Sequence, residues 1–187
     1  MNLIHLRDAR PDDSLAIATI YEHYVRTTCF TFEEVPPSPD EMGSRMRKIR
    51  EAGLPYYVAE GRTNAVIGYA YASLFHTRSA YRYSVENSVY IASDLTRQGI
   101  GKALMEHLIQ ECTALGYRQM IALIGVDKDN PASLGLHSRL GFKSVGNLST
   151  IGMKFGRWVD VMEMQLALGD GPNSIPTADP TRHQISN

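Results

Sequence analysis

Apolar positions change period several times along this chain, and each change marks an element. Leu3 to Leu6 predicts a short first strand. Near Asp12 a helix begins in which Ile17, Ile20, Tyr21 and Tyr24 share one face. Residues 26–37 follow no period and read as irregular. Ser38-Pro39-Asp40-Glu41 then has the form of a capping box with proline at the first helical position. The second helix turns Met42, Met46 and Ile49 inward and stops at Gly53 and Pro55. Tyr56–Glu60 and Val66–Leu74 read as strands joined by the polar turn Arg62-Thr63-Asn64.

A strand over 85–93 sets Val85, Val89 and Ile91 on one parity and Glu86, Ser88 and Tyr90 on the other. The following helix, 99–115, aligns Leu104, Leu108, Cys112 and Leu115. Met120–Ile124 is a continuous apolar run, the pattern of a strand covered on both faces. Asn130 caps a short helix to about Arg139, closed by Gly141. Two strands, roughly 142–149 and 158–167, flank the loop Met153–Arg157, where Trp158 is expected to be buried. From Gly169 onward, Gly171, Pro172, Pro176 and Pro180 with little apolar content predict a flexible tail over 169–187. The order of elements predicts one α/β (α+β) domain over 1–168. Its centre is a mixed, mostly antiparallel sheet of about seven strands, with helices on both faces.

Composition narrows the class. A chain of 187 residues, 43% hydrophobic and 21% charged, is long enough and apolar enough for one domain with a real core. A net charge of −1 without a basic run gives no electrostatic reason to expect nucleic acid. No apolar stretch approaches the roughly 20 residues of a membrane span, and the N-terminus lacks a signal-like core, so no membrane partner is expected. Two cysteines, Cys29 and Cys112, make no disulfide framework, and Cys112 falls on an apolar helix face as a core thiol would. A bacterial-type cytoplasmic enzyme suits these features.

The segment with the clearest chemistry is Thr96-Arg-Gln-Gly-Ile-Gly-Lys102. It joins a strand to a helix N-terminus, where free backbone N–H groups and the helix dipole favour an anion such as a diphosphate. It is not a P-loop, because no glycine lies five residues before Gly101 and no Ser or Thr follows Lys102. Nor is it the dinucleotide fingerprint, since position 104 is Leu. A turn and helix start without any ligand remains the alternative.

This loop resembles the R/Q-x-x-G-x-G/A loop of the GCN5-related N-acetyltransferases (GNAT). Asn130-Pro-Ala-Ser133, continuing through Leu136-His137 to Leu140-Gly141-Phe142, is similar to the family's N-x-x-A/S…L-Y-x-x-x-G-F block. Within the family, Ser84–Ile91 and Lys154–Asp160 look like the branch acting on phosphinothricin and methionine sulfoximine. The resemblance spans about Leu3 to Leu168 and implies the GNAT fold.

The resemblance also implies an activity, acetyl-CoA-dependent N-acetylation of the α-amine of phosphinothricin, methionine sulfoximine or methionine sulfone. Attack would be direct, in a ternary complex. Glu86 then stands where the branch places its general base; read from the sequence alone, it faces solvent or pairs with Arg82. Main-chain groups of Val89, Tyr90 and Ile91 would pair with the pantetheine arm, and Arg97, Gln98, Gly99, Ile100, Gly101 and Lys102 would hold the diphosphate. Asn130 and Ser133 complete the expected cofactor group, Asn130 also serving as helix cap. His137 occupies the place of a tyrosine that protonates the leaving thiolate in many members. It reads as acid, as cofactor contact, or as a helix histidine packed on a strand. Thr96, where the family has Arg or Gln, departs from the pattern.

For the acceptor, Phe32 and Glu34 resemble the aromatic and acidic pair before the second helix, and Asn87 and Lys154 are expected nearby. His76-Thr77-Arg78 lies between two strands. Arg78 is the candidate for the substrate carboxylate, with an exposed loop arginine as its alternative reading. No metal is implied. A small amino-acid-like substrate and a homodimer are the expected partners. The rival activities are acetylation of protein N-termini and a non-catalytic acyl-CoA sensor.

Overall fold

The computed structural model describes residues 4–126 and 131–181. Among them, seven strands are β1 (His5–Asp8), β2 (Tyr56–Glu60), β3 (Val66–Leu74), β4 (Ser84–Ile91), β5 (Gln119–Val126), β6 (Lys143–Lys154) and β7 (Arg157–Ala167). They form one sheet in the order β1-β2-β3-β4-β5-β7-β6. Only the β4–β5 pair is parallel. The helices are α1 (Ser14–Thr27), α2 (Pro39–Glu51), α3 (Ile100–Ala114) and α4 (Pro131–Arg139).

Strand alternation divides the interior into two cores. On one face Leu104, Met105, Leu108 and Cys112 of α3 pack with Val85, Met120, Ala122, Ile124 and Phe142. On the other, Ile17, Tyr21 and Val25 of α1 and Met42 and Met46 of α2 cover Tyr56, Val58 and Tyr69. Each fully buried aliphatic side chain contributes about 1.5–3 kcal/mol by leaving water. At the start of α2, Ser38 Oγ accepts from the Glu41 N–H at 3.2 Å, a cap worth about 1 kcal/mol. The Glu41 carboxylate meanwhile accepts from Arg45 Nε at 2.9 Å.

Several expectations need correction. Among the described residues the first strand is His5–Asp8, running two residues past the expected end at Leu6. β5 is not covered on both faces: Met120 and Ile124 are buried, but Leu123 is 41% exposed. Trp158 is 62% exposed, because it stands on the outer face of the β6–β7 hairpin with Met153 as its cross-strand partner. The expected loop Met153–Arg157 contracts to a two-residue turn. Phe155 and Gly156 both take positive φ (50° and 71°), the twist that closes a tight hairpin. Residues 169–181 are not a featureless tail: Gly171 and Pro180 are buried, and Asp179 lies 3.5 Å from Arg82.

Candidate active site

The parallel ladder between β4 and β5 has only three registered pairs, ending at Glu86 opposite Ile121. Beyond that point each strand keeps its outer neighbour, β4 with β3 to Ile91 and β5 with β7 to Val126. The two strands therefore part, and a wedge opens between them toward the N-terminus of α3. An open main-chain edge of this kind is where an extended ligand pairs like an added strand.

At the mouth of the wedge the chain turns sharply. Arg97 has φ +63° and Gly99, the residue capping α3, has φ +85°. A side chain at 99 would meet open space, so glycine is required there by the backbone conformation. Thr96 to Gly99 are exposed while Ile100 anchors in the core, which fixes the helix start and leaves the turn accessible. The cap residue, Gly99, has no side chain to accept from the first turn of α3, whose N–H groups face the turn as anion donors. Gly101 packs closely against Leu136 of α4. Lys102 is exposed, 3.5 Å from Glu106. Val89, Tyr90 and Ile91 lie on the parting stretch of β4; the Ile91 carbonyl already accepts from Tyr24 Oη at 2.6 Å. Ser133 sits in the first turns of α4, and Asn130 lies outside the described residues.

Glu86 closes the wedge at its apex. It shares a face with Ser88 and Tyr90, turned toward the α1–α2 side. Among the described residues its carboxylate has no hydrogen bond or ion pair, and burial raises its pKa above the usual carboxylate value. The pairing with Arg82 does not form. That guanidinium donates to the Ser79 carbonyl at 2.9 Å, sits over the Tyr83 ring at 4.8 Å and lies near Asp179. A half-buried, unpaired carboxylate with a raised pKa is suited to taking a proton near neutral pH.

Asn87 and His137 face each other. Asn87 has the opposite parity to Glu86, so it points away from an acceptor held at Glu86 and is 7% exposed. Its Nδ2 donates to the Ile121 carbonyl at 3.0 Å and its Oδ1 lies 3.0 Å from His137 Nε2. His137 is 2% exposed, stands edge-on to Phe142, and has Nδ1 at 2.9 Å from the Ser133 carbonyl. Burial pushes its imidazole below the usual range, with the Ser133 carbonyl pulling the other way. Both ring nitrogens are engaged, so the geometry supports the packed histidine rather than a thiolate acid.

On the α1–α2 side of the sheet, residues 28–34 cross over β5 and the hairpin. A Cβ on Gly125 would overlap the Cys29 carbonyl, and one on Gly152 the Phe32 ring, so both glycines admit the crossing segment. Phe32 lies partly exposed on Gly152, and Glu34 is exposed. Lys154 is corrected. It is 1% exposed and its Nζ donates to the Thr31 carbonyl at 2.7 Å, so it ties down the segment instead of facing a substrate. Burial lowers its pKa, opposed by Cys29, Glu34 and Glu33.

The sequence reading missed Glu33, which accepts from Tyr21 Oη at 2.9 Å and from Arg45 Nη1 at 2.6 Å. Only the Glu41–Arg45 spacing hinted that Arg45 was an ion-pair residue. Burial raises the Tyr71 pKa, Ser88 pulls it the other way, and the nearby Glu86 and Glu33 carboxylates add to the rise. His76, Thr77 and Arg78 are exposed in the β3–β4 connection, at the end of β4 away from the anion cradle. The Arg78 N–H donates to His76 Nδ1 at 3.2 Å; no ion pair or hydrogen bond among the described residues links these three to Glu86.

An anion cradle beside a splayed parallel pair, with an unpaired carboxylate at the apex, defines an acyltransferase of the GNAT type. A sequence model of the acetyltransferase (GNAT) family matches residues 17–142, and the chain belongs to that family. It is 49% identical to a phosphinothricin N-acetyltransferase of Alcaligenes faecalis, over 91% of this chain and 86% of the relative. It is 36% identical to an L-methionine sulfoximine/L-methionine sulfone acetyltransferase of Pseudomonas paraeruginosa, over 91% and 98% of the two chains. The crystal structure of a phosphinothricin acetyltransferase from Sinorhizobium meliloti in complex with acetyl-CoA superposes with a TM-score of 0.89, at 46% identity and 93% coverage of each chain.

Proposed function

We propose that this chain transfers the acetyl group of acetyl-CoA to the α-amine of a small amino-acid analogue: phosphinothricin, methionine sulfoximine or methionine sulfone. The observation that carries the proposal is Glu86, half-buried and unpaired at the point where β4 and β5 part. The relatives named above support the substrate class.

The acetyl thioester supplies the electrophile, and this chain's residues bind, orient and deprotonate. The turn Arg97–Lys102 and the first N–H groups of α3 hold the diphosphate, while the free edge of β4 over Val89–Ile91 takes the pantetheine arm. Glu86 receives a proton from the substrate ammonium, leaving the amine lone pair to attack the thioester carbonyl; the new C–N bond replaces C–S, the second amine proton passes to the departing sulfur, and coenzyme A leaves as the thiol. Arg78 pairs with the substrate carboxylate, and Phe32 and Glu34 border the acceptor. His137 is not the acid in this reading, and Asn87 and Lys154 do not touch the substrate.

The rest of the proposal is architectural. Residues 1–168 form the catalytic domain. Met153 and Trp158, cross-strand partners beside the β6–β7 turn, form an exposed apolar pair that a second copy covers in a homodimer. A cytoplasmic place and a role in resistance fit the substrates proposed.

The test is thiol release from acetyl-CoA against free amino acids, the three analogues and short peptides. Turnover with the analogues and none with peptides is expected. Turnover confined to peptides would make the chain an N-terminal acetyltransferase, and acetyl-CoA binding without any turnover would make it a sensor.

A further inference from the structure

One side-chain amide joins three elements where the parallel ladder ends. Asn87 belongs to β4, its Nδ2 donates to the Ile121 carbonyl of β5, and its Oδ1 meets His137 of α4. Main-chain pairing between β4 and β5 stops one residue earlier, at Glu86 and Ile121. A side chain thus takes over the strand-to-strand contact where the backbones begin to separate.

The hydrogen-bond arithmetic orients both groups. The Ile121 carbonyl can only accept, so the Asn87 atom facing it is the amide nitrogen, and the amide oxygen faces the ring. His137 Nε2 therefore points at an acceptor. On its other side, Nδ1 faces the Ser133 carbonyl at 2.9 Å and the Ser133 hydroxyl at 3.5 Å. Both Asn87 and His137 are nearly sealed from water, so losing either partner strands a buried donor or acceptor.

We propose that Asn87 is a positioning residue: with the His137 ring, it forms a strut that holds β4, β5 and α4 at their spacing, so that the slot is formed before acetyl-CoA arrives. This rests on the reading that the wedge receives acetyl-CoA. A slot present only a fraction of the time weakens its ligand by that fraction, so removing the strut acts on co-substrate affinity rather than on the acetyl-transfer step.

Asn87→Leu, close in volume and without hydrogen bonds, tests the proposal on the full chain. It is expected to raise the acetyl-CoA Kd and KM about tenfold, as for a slot formed about a tenth of the time, with kcat within about twofold. Asn87→Ser, milder, serves if the leucine variant does not fold, and should move the same constants in the same direction. In histidine-labelled protein, nitrogen NMR should show the His137 Nε2 resonance displaced in the variants from its wild-type position, as the loss of its Asn87 partner requires. A lowered Tm with unchanged acetyl-CoA affinity in the folded variant would overturn the strut, as would a His137 Nε2 resonance that the loss of Asn87 leaves unmoved. If wild-type protein binds no acetyl-CoA, the reading of the wedge fails, while the NMR result still decides whether the strut exists.

Discussion

The two sides of the β4–β5 wedge are built by different means. On the α3–α4 side, a strand, a turn and a helix follow one another within residues 84–114 and present backbone donors. On the α1–α2 side, the wall proposed for the acceptor is gathered from distant segments: Lys154 reaches the Thr31 carbonyl across 123 positions, and Gly125 and Gly152 make room for residues 28–34. The difference follows from what each side recognises. A diphosphate needs N–H groups and a dipole, which a local motif supplies. A small acceptor needs a shaped wall, which only long-range packing supplies.

Substitutions can break each side separately. The largest effect belongs to the junction: Glu86→Gln should lower kcat by about 100- to 10,000-fold while acetyl-CoA affinity, read by calorimetry, stays within about twofold. Its stability should move the other way. The raised pKa means that the unfolded state releases this proton first, so stability falls as pH rises from the unfolded value through the folded one. At pH 7 the glutamine variant, with no charge to bury, should melt at or above the wild-type temperature.

Next comes the cradle. Gly99→Val forces a branched side chain to φ +85°, a strain of about 1–2 kcal/mol, and should weaken acetyl-CoA up to about tenfold with amino-acid KM unchanged. Lys154→Met acts on the opposite side, removing the tie to Thr31 while keeping much of the stem packing. Amino-acid KM should rise about threefold, of the order of one lost hydrogen bond, with acetyl-CoA KM constant. The mildest change is Trp158→Lys on the exposed hairpin. Sedimentation should show dimers giving way to monomers, with fold stability within about 0.5 kcal/mol.

The sequence disclosed what is local or periodic. β2 and β3 fall on their predicted bounds, and the parity of β4 correctly separated Glu86 from Val85, Val89 and Ile91. The turn at 96–102 was legible because glycine at a positive φ before a helix is a backbone requirement. The pairing of Asn87 with His137, 50 positions apart, was not, because no local pattern encodes which buried amide will meet which ring. Lys154 misled for the same reason: a lysine in a hairpin reads as exposed until its carbonyl partner is known. Trp158 and Leu123 misled in the opposite sense, since apolar residues on an open sheet face look like core in sequence.

The most direct test of Glu86 as the base is the pH dependence of kcat for acetylation of phosphinothricin, with acetyl-CoA saturating, in the wild type and in Glu86→Gln. The account predicts an acidic limb in the wild type, displaced above the ordinary carboxylate value of 4.5 and missing from the glutamine variant. An identical limb in both proteins, or a variant that keeps the wild-type kcat, would contradict it.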